Sequence, residues 1–129
     1  MIAVDACVVI SFLAGENLRE VDAFAALLEG EGAILAPSTV AELLSDPKGG
    51  AETGALIDGL KTLPIEDGYW RRAGLLRAAV KRAGRKAALG DALVAQACLD
   101  ADVPLLTSDI DFKAFAEVAN LRLAAKAAE

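Results

Sequence analysis

An α/β fold is predicted by three features of the 129-residue chain: short apolar runs alternate with longer helical patterns, the apolar residues are mostly small aliphatics, and acids gather just after the apolar runs. The expected architecture is one three-layer domain over residues 1–129, a parallel sheet of four to five strands flanked by helices. The candidate strands are residues 2–4 (IAV), 33–36 (AILA), 62–65 (TLPI), 103–107 (VPLLT) and 121–123 (LRL). Between them, Val21, Phe24, Ala25 and Leu28 recur at helical spacing, as do Leu75, Leu76, Ala79 and Val80, so each set is expected to face the core. Residues 46–54 (DPKGGAETG) have the composition of a loop. With 55% apolar but only 5% aromatic residues, the interior must be filled by Ala, Leu and Val.

Composition also removes several classes of function. No apolar stretch approaches the ~20 residues that a bilayer requires, and the first residues lack the basic start of a secretion signal, so a cytoplasmic protein without a membrane role is expected. Cys7 and Cys98 are too few and too scattered for a disulfide framework or a thiolate metal site, and both are expected to be buried, reduced thiols. The chain has no histidine, hence no imidazole to activate a thiol or to bind zinc.

The acids carry the chemistry. In a parallel sheet, helix N-termini collect at the C-terminal edge of the strands. Asp5 follows the first run, Glu42 falls in the first turn of the helix after the second, Asp91 opens a helix after Gly90, and Asp109 follows the fourth run. A flavodoxin-like order, with helices on both faces, is expected to set the first and fourth strands side by side over a crevice. Asp58, Asp100 and Asp102 fall in helix interiors or last turns and read as solvated faces.

Each site acid has a structural explanation when taken singly. Thr39 to Glu42 matches a capping box, Asp91 suits a helix N-terminus, and Asp109 with Asp111 suits a turn. Taken together, converging carboxylates repel unless a cation sits among them. Without imidazole or thiolate clusters that cation is hard and oxygen-loving, Mg²⁺ or Mn²⁺, and such an ion points to phosphoryl chemistry by a metal-activated water.

The segments MIAVDACVVISFL (1–13), APSTVAELL (36–44), GDALVAQACL (90–99) and PLLTSDIDF (104–112) resemble, in order, the four acidic motifs of the PIN-domain family, especially its VapC-type toxins. The resemblance spans nearly the whole chain, although residues 47–85 carry no family motif. It implies an Mg²⁺- or Mn²⁺-dependent endoribonuclease with Asp5, Glu42, Asp91 and Asp109 as catalytic, metal-binding acids and Asp111 as an accessory. It also implies a homodimer held inactive by a cognate antitoxin. Thr107 keeps the hydroxyl that the family places before its last acid. Cys7 stands where the family often has a hydroxyl, so any support for Asp5 from that position is expected to be weaker.

Charge is distributed unevenly. Arg71, Arg72, Arg77, Lys81, Arg82, Arg85 and Lys86 lie in a stretch without acids, and removing these seven cations from the net charge of −6 leaves the other 113 residues at −13. Arg77, Lys81, Arg82 and Arg85 recur along one helix flank and are candidates for holding an RNA backbone near the acids. Tyr69 and Trp70 read as core or interface residues, with base stacking as the alternative. A receiver domain wants an acceptor Asp after the third strand and a Lys near the site, where this chain offers Glu66 and Asp67 and, after the fourth run, no close Lys except Lys113; a haloacid-dehalogenase-type phosphatase wants an Asp-x-Asp after the first strand, which Asp5-Ala6-Cys7 does not supply. A catalytically silent module that binds RNA or antitoxin, or a nuclease that processes RNA without being a toxin, remains the alternative.

Overall fold

A computed structural model describes residues 1–124. The chain runs β1 (Ile2–Val4), α1 (Ala6–Leu13), α2 (Arg19–Glu29), β2 (Ala33–Leu35), α3 (Pro37–Leu44), α4 (Ala51–Asp58), β3 (Lys61–Thr62), α5 (Tyr69–Arg82), α6 (Leu89–Ala101), β4 (Leu105–Leu106), a 3-10 turn (Ile110–Phe112) and α7 (Lys113–Ala119). The strands form one parallel sheet in the order β3-β2-β1-β4. This is not the flavodoxin-like order, which would seat the first strand between the second and third. The expected neighbours are nevertheless adjacent, with Ala3 opposite Leu105 and Val4 opposite Leu106. The fifth run contributes only one parallel bridge, from Leu123 to Leu105.

Side chains alternate across each strand and so build two cores. Ala3, Ile34 and Leu105 pack with residues of α5, α6 and α7 on one face. Val4, Leu35 and Leu106 pack with residues of α1, α2 and α3 on the other. The three-layer arrangement follows, and it is built mostly from small aliphatic residues with Phe24, Phe112 and Phe115 as the large fully buried rings.

Several local expectations are corrected. Residues 51–58 form α4 and not a loop. In α5 the buried stripe is Tyr69, Ala73, Leu76 and Val80, at spacings of four, three and four, while Leu75 is exposed. The capping box is absent, because Pro37 supplies the pre-set φ of a first helical residue and starts α3 two residues before Thr39. Thr39 is therefore inside the helix and fully buried, its hydroxyl without a partner among the described residues, and Glu42 lies in the second turn. Asp100 is not solvated: it accepts two hydrogen bonds from Arg72, at 3.0 and 2.6 Å, and one from Gln96.

Candidate metal centre

The ends of β1 and β4, together with α3 and α6, place the acids. Asp5 leaves β1 as the N-cap of α1, with Oδ1 accepting from the Ala6 amide at 3.0 Å. Its backbone amide donates to the Leu106 carbonyl and so ties β1 to β4 at the sheet edge. The other oxygen, Oδ2, accepts from the Thr107 hydroxyl at 2.8 Å and from the Cys7 thiol at 3.1 Å. Asp5 is only 6% exposed, and these donors hold its carboxylate in one orientation. Thr107 in turn accepts from the Asp109 amide at 3.0 Å, which links the first and last acidic segments through one hydroxyl.

Cys7 is half-buried, not wholly buried as expected, and works as a donor to Asp5. Burial first, and then the charge of Asp5, raise its thiol above the usual range, so it stays protonated and is no nucleophile. Cys98, buried against the core, is pushed up to about 12 by burial.

Asp109 caps the 3-10 turn, its Oδ1 accepting from the Asp111 amide at 2.9 Å. This bond folds the Asp-Ile-Asp segment so that both carboxylates reach Asp91 in the first turn of α6. Oxygens of Asp91, Asp109 and Asp111 lie within 4.8 Å of one another. Asp5 and Glu42 stand outside that group of three but still act on it. Desolvation, followed by the charges of Asp109, Asp5, Asp111 and Glu42, pushes Asp91 up to about 6. Desolvation, and then Asp5, raise Glu42 as well.

Five carboxylates thus share one field, and their donor atoms are all oxygens, which fits a hard divalent cation. Asp91, Asp109 and Asp111 would hold it, with Asp5 and Glu42 close enough to contribute charge.

The PIN-domain family model matches residues 2–118. This chain belongs to the PIN-domain family. No match is found among curated proteins. Among solved structures, the fold of this PIN domain is similar to that of VapBC2 from Rickettsia felis bound to a DNA fragment from their promoter, with 19% identity over 95% of this chain and 97% of the other and a TM-score of 0.74. FitAcB from Neisseria gonorrhoeae aligns at 22% identity over 95% and 96% with a TM-score of 0.72. VapBC-1 from nontypeable Haemophilus influenzae aligns at 19% identity over the same shares, also with a TM-score of 0.72.

Within this PIN domain the basic stretch is partly consumed internally. Arg77 donates through Nε to the Ala87 carbonyl at 2.8 Å, and Arg85 pairs with Glu117. Lys81 and Arg82 are exposed at the end of α5. Tyr69 belongs to the core, its hydroxyl donating to the Leu93 carbonyl at 2.6 Å, whereas Trp70 is exposed.

The cation that reaches the acids is one that sequence reasoning did not single out. Lys86 Nζ lies 3.0 Å from Asp111 Oδ2. That hydrogen bond, followed by the charges of Asp111, Asp109 and Asp91, raises the lysine's pKa. The α5 C-terminus explains its position. Gly84, at φ +77°, turns the chain back through amide bonds from Gly84 to Lys81 and from Arg85 to Val80, and the segment then returns toward α6. The signal available in sequence was the end of the basic run, five residues before Asp91.

Proposed function

We propose that this PIN domain is a metal-dependent endoribonuclease, the toxin of a type II toxin–antitoxin pair, with Mg²⁺ or Mn²⁺ as cofactor. The observation that carries the reading is the convergence of Asp5, Glu42, Asp91, Asp109 and Asp111, which leaves Asp91 with a pKa of about 6. A cluster so repulsive is retained at a stability cost that a bound cation offsets. Asp91, Asp109 and Asp111 hold the ion, with Asp5 and Glu42 completing the negative field. When bound, the ion lowers the pKa of a water, which answers the absence of histidine, and neutralises charge that develops on the phosphate oxygens.

The chain's own residues orient and support. Thr107 and Cys7 hold the Asp5 carboxylate, and the Asp111 amide holds that of Asp109. Lys81 and Arg82 are the candidates from the basic flank for sequence-independent attraction of the RNA backbone, with Arg77 and Arg85 contributing charge from their internal bonds. The toxin acts in the cytoplasm, forms a homodimer and is silenced by a cognate antitoxin. Support for the antitoxin comes from its fold neighbours, since VapBC2 is bound to promoter DNA and FitAB to an IR36 DNA fragment. Among the described residues no helix is long and apolar enough to cross a membrane.

Asp5→Asn tests the assignment. The variant is expected to stay folded and to lose RNA cleavage by at least a hundredfold in Mn²⁺, with Glu42→Gln and Asp91→Asn behaving alike. Cleavage of a mixed RNA substrate by purified wild type in Mn²⁺ and its loss in EDTA is the companion measurement. Wild-type rates from Asp5→Asn would contradict the role given to Asp5.

A further inference from the structure

Beside the acid cluster lies a pocket of about 280 Å³ whose walls include Arg85, Lys86, Lys113, Asp111 and Ile110. Three of its lining side chains are cationic in a molecule of net charge −6, and it opens next to a carboxylate assigned to the metal. Arg85 is paired with Glu117, and Lys86 sits at the rim on Asp111. Ile110, between the two acids of the last motif, is 73% exposed and gives the recess an apolar flank.

Lys86 has the properties of a cation with two stations. Its side chain is 75% exposed, so the ammonium turns without disturbing the core. An exposed lysine–carboxylate pair contributes little net stability because water screens it, so little holds it on Asp111 once a stronger ligand claims that carboxylate. A divalent ion is such a ligand. An ammonium displaced from Asp111 would remain beside the recess that the exposed Lys113 also lines, and RNA phosphate is the anion that this enzyme must bring there.

We propose that Lys86 is a phosphate-contacting residue that exchanges partners. In the metal-free protein it neutralises Asp111. When the ion takes Asp111, Lys86 turns with Lys113 to hold an RNA phosphate adjoining the one that is cleaved. The inference rests on the nuclease reading above and adds to it a substrate-positioning subsite and an order of events: ion first, backbone contact second.

The exchange predicts a contact that exists only in the presence of metal. Binding of a labelled single-stranded RNA is measured at several salt concentrations on the non-cleaving Asp5→Asn background, in Mn²⁺ and in EDTA, for the parent, Lys86→Gln, Lys113→Gln and the control Lys61→Gln, an exposed lysine at the start of β3. In Mn²⁺, Lys86→Gln lowers the slope of log affinity against log salt by roughly 0.7, the share of one phosphate contact on a single strand. In EDTA its slope matches the parent's. Lys113→Gln loses the same share in Mn²⁺, and Lys86→Arg restores the slope. In the absence of RNA, calorimetry shows Mn²⁺ binding tightened several-fold by Lys86→Gln and unchanged by Lys61→Gln, because Lys86 is the lysine that pairs with Asp111. Equal slopes for Lys86→Gln and parent in Mn²⁺, or an equal loss in Mn²⁺ and EDTA, would overturn the exchange. Wild-type chain assayed on the same RNA separates the two levels: if it cleaves in Mn²⁺ and the Lys86→Gln slope does not move, only this inference fails, whereas a wild type that does not cleave removes both.

Discussion

Asp91 shows how a side chain's surroundings convert into a testable pH dependence. Its carboxyl titrates near 6 in the folded chain and near 3.8 when exposed, so between those values the folded state binds more protons than the unfolded state. Stability contributed by this group is therefore fully present below about pH 4 and is lost as pH rises through 6. Asp91→Asn removes the loss. In EDTA at pH 7.5 the variant is expected to be more stable than wild type by about 1–2 kcal/mol, the lower part of the linkage value because the carboxyl is half-exposed and screened. The two proteins should converge toward pH 4, as read from urea midpoints across the range. Equal stability at pH 7.5 would mean that neither burial nor the other four acids disfavour a charged Asp91. At the same scale, the position of Asp5 at the sheet edge was legible because an acid one residue past an apolar run has one place to go in a parallel sheet. Lys86 was not legible, since its contact with Asp111 depends on how the chain turns at Gly84 and not on any spacing.

At the level of elements, the sheet and its order of acids were readable while the element boundaries were not. The strands are two or three residues long, and the third stops at Thr62 because Pro64 has no amide to continue a ladder. The apolar run there continues past the strand, with Leu63 buried and Ile65 exposed, which is why periodicity overstated it. In α5, choosing adjacent pairs Leu75/Leu76 and Ala79/Val80 broadened a stripe that in fact begins at Tyr69. That tyrosine fastens α5 to α6 through its hydroxyl on the Leu93 carbonyl, two residues after Asp91. Tyr69→Phe deletes one buried hydrogen bond without opening a cavity, and a loss of about 1 kcal/mol is expected. Thermal melts should show a midpoint about 3–5 °C lower. Mn²⁺ affinity should stay within twofold, because the ring still packs and α6 keeps its place. A large fall in Mn²⁺ affinity would instead make this one bond responsible for the position of Asp91.

For the molecule as a whole, the clustered acids repel one another, and on the proposed reading they bind the ion, so fold stability and metal occupancy would be linked. A ligand that binds only the folded state adds RT ln(1 + [L]/Kd), about 2.7 kcal/mol at a hundredfold excess over Kd. In wild type the ion also relieves the repulsion that raises Asp91, so the gain on adding Mn²⁺ should exceed the gain from an equal ionic strength of NaCl, which only screens. At pH 7.5, moving from EDTA to saturating Mn²⁺ should raise the melting midpoint by about 8–12 °C. At pH 5, with Asp91 largely protonated, the same addition should raise it by less than half as much, because the proton must leave before the carboxylate can bind. The double variant Asp91→Asn/Asp109→Asn, which removes two of the three clustered carboxylates, should melt at nearly the same temperature in both buffers. If that variant gains as much from Mn²⁺ as wild type does, the ion is binding elsewhere, and the meeting of the end of β4 with the first turn of α6 would not be the metal centre.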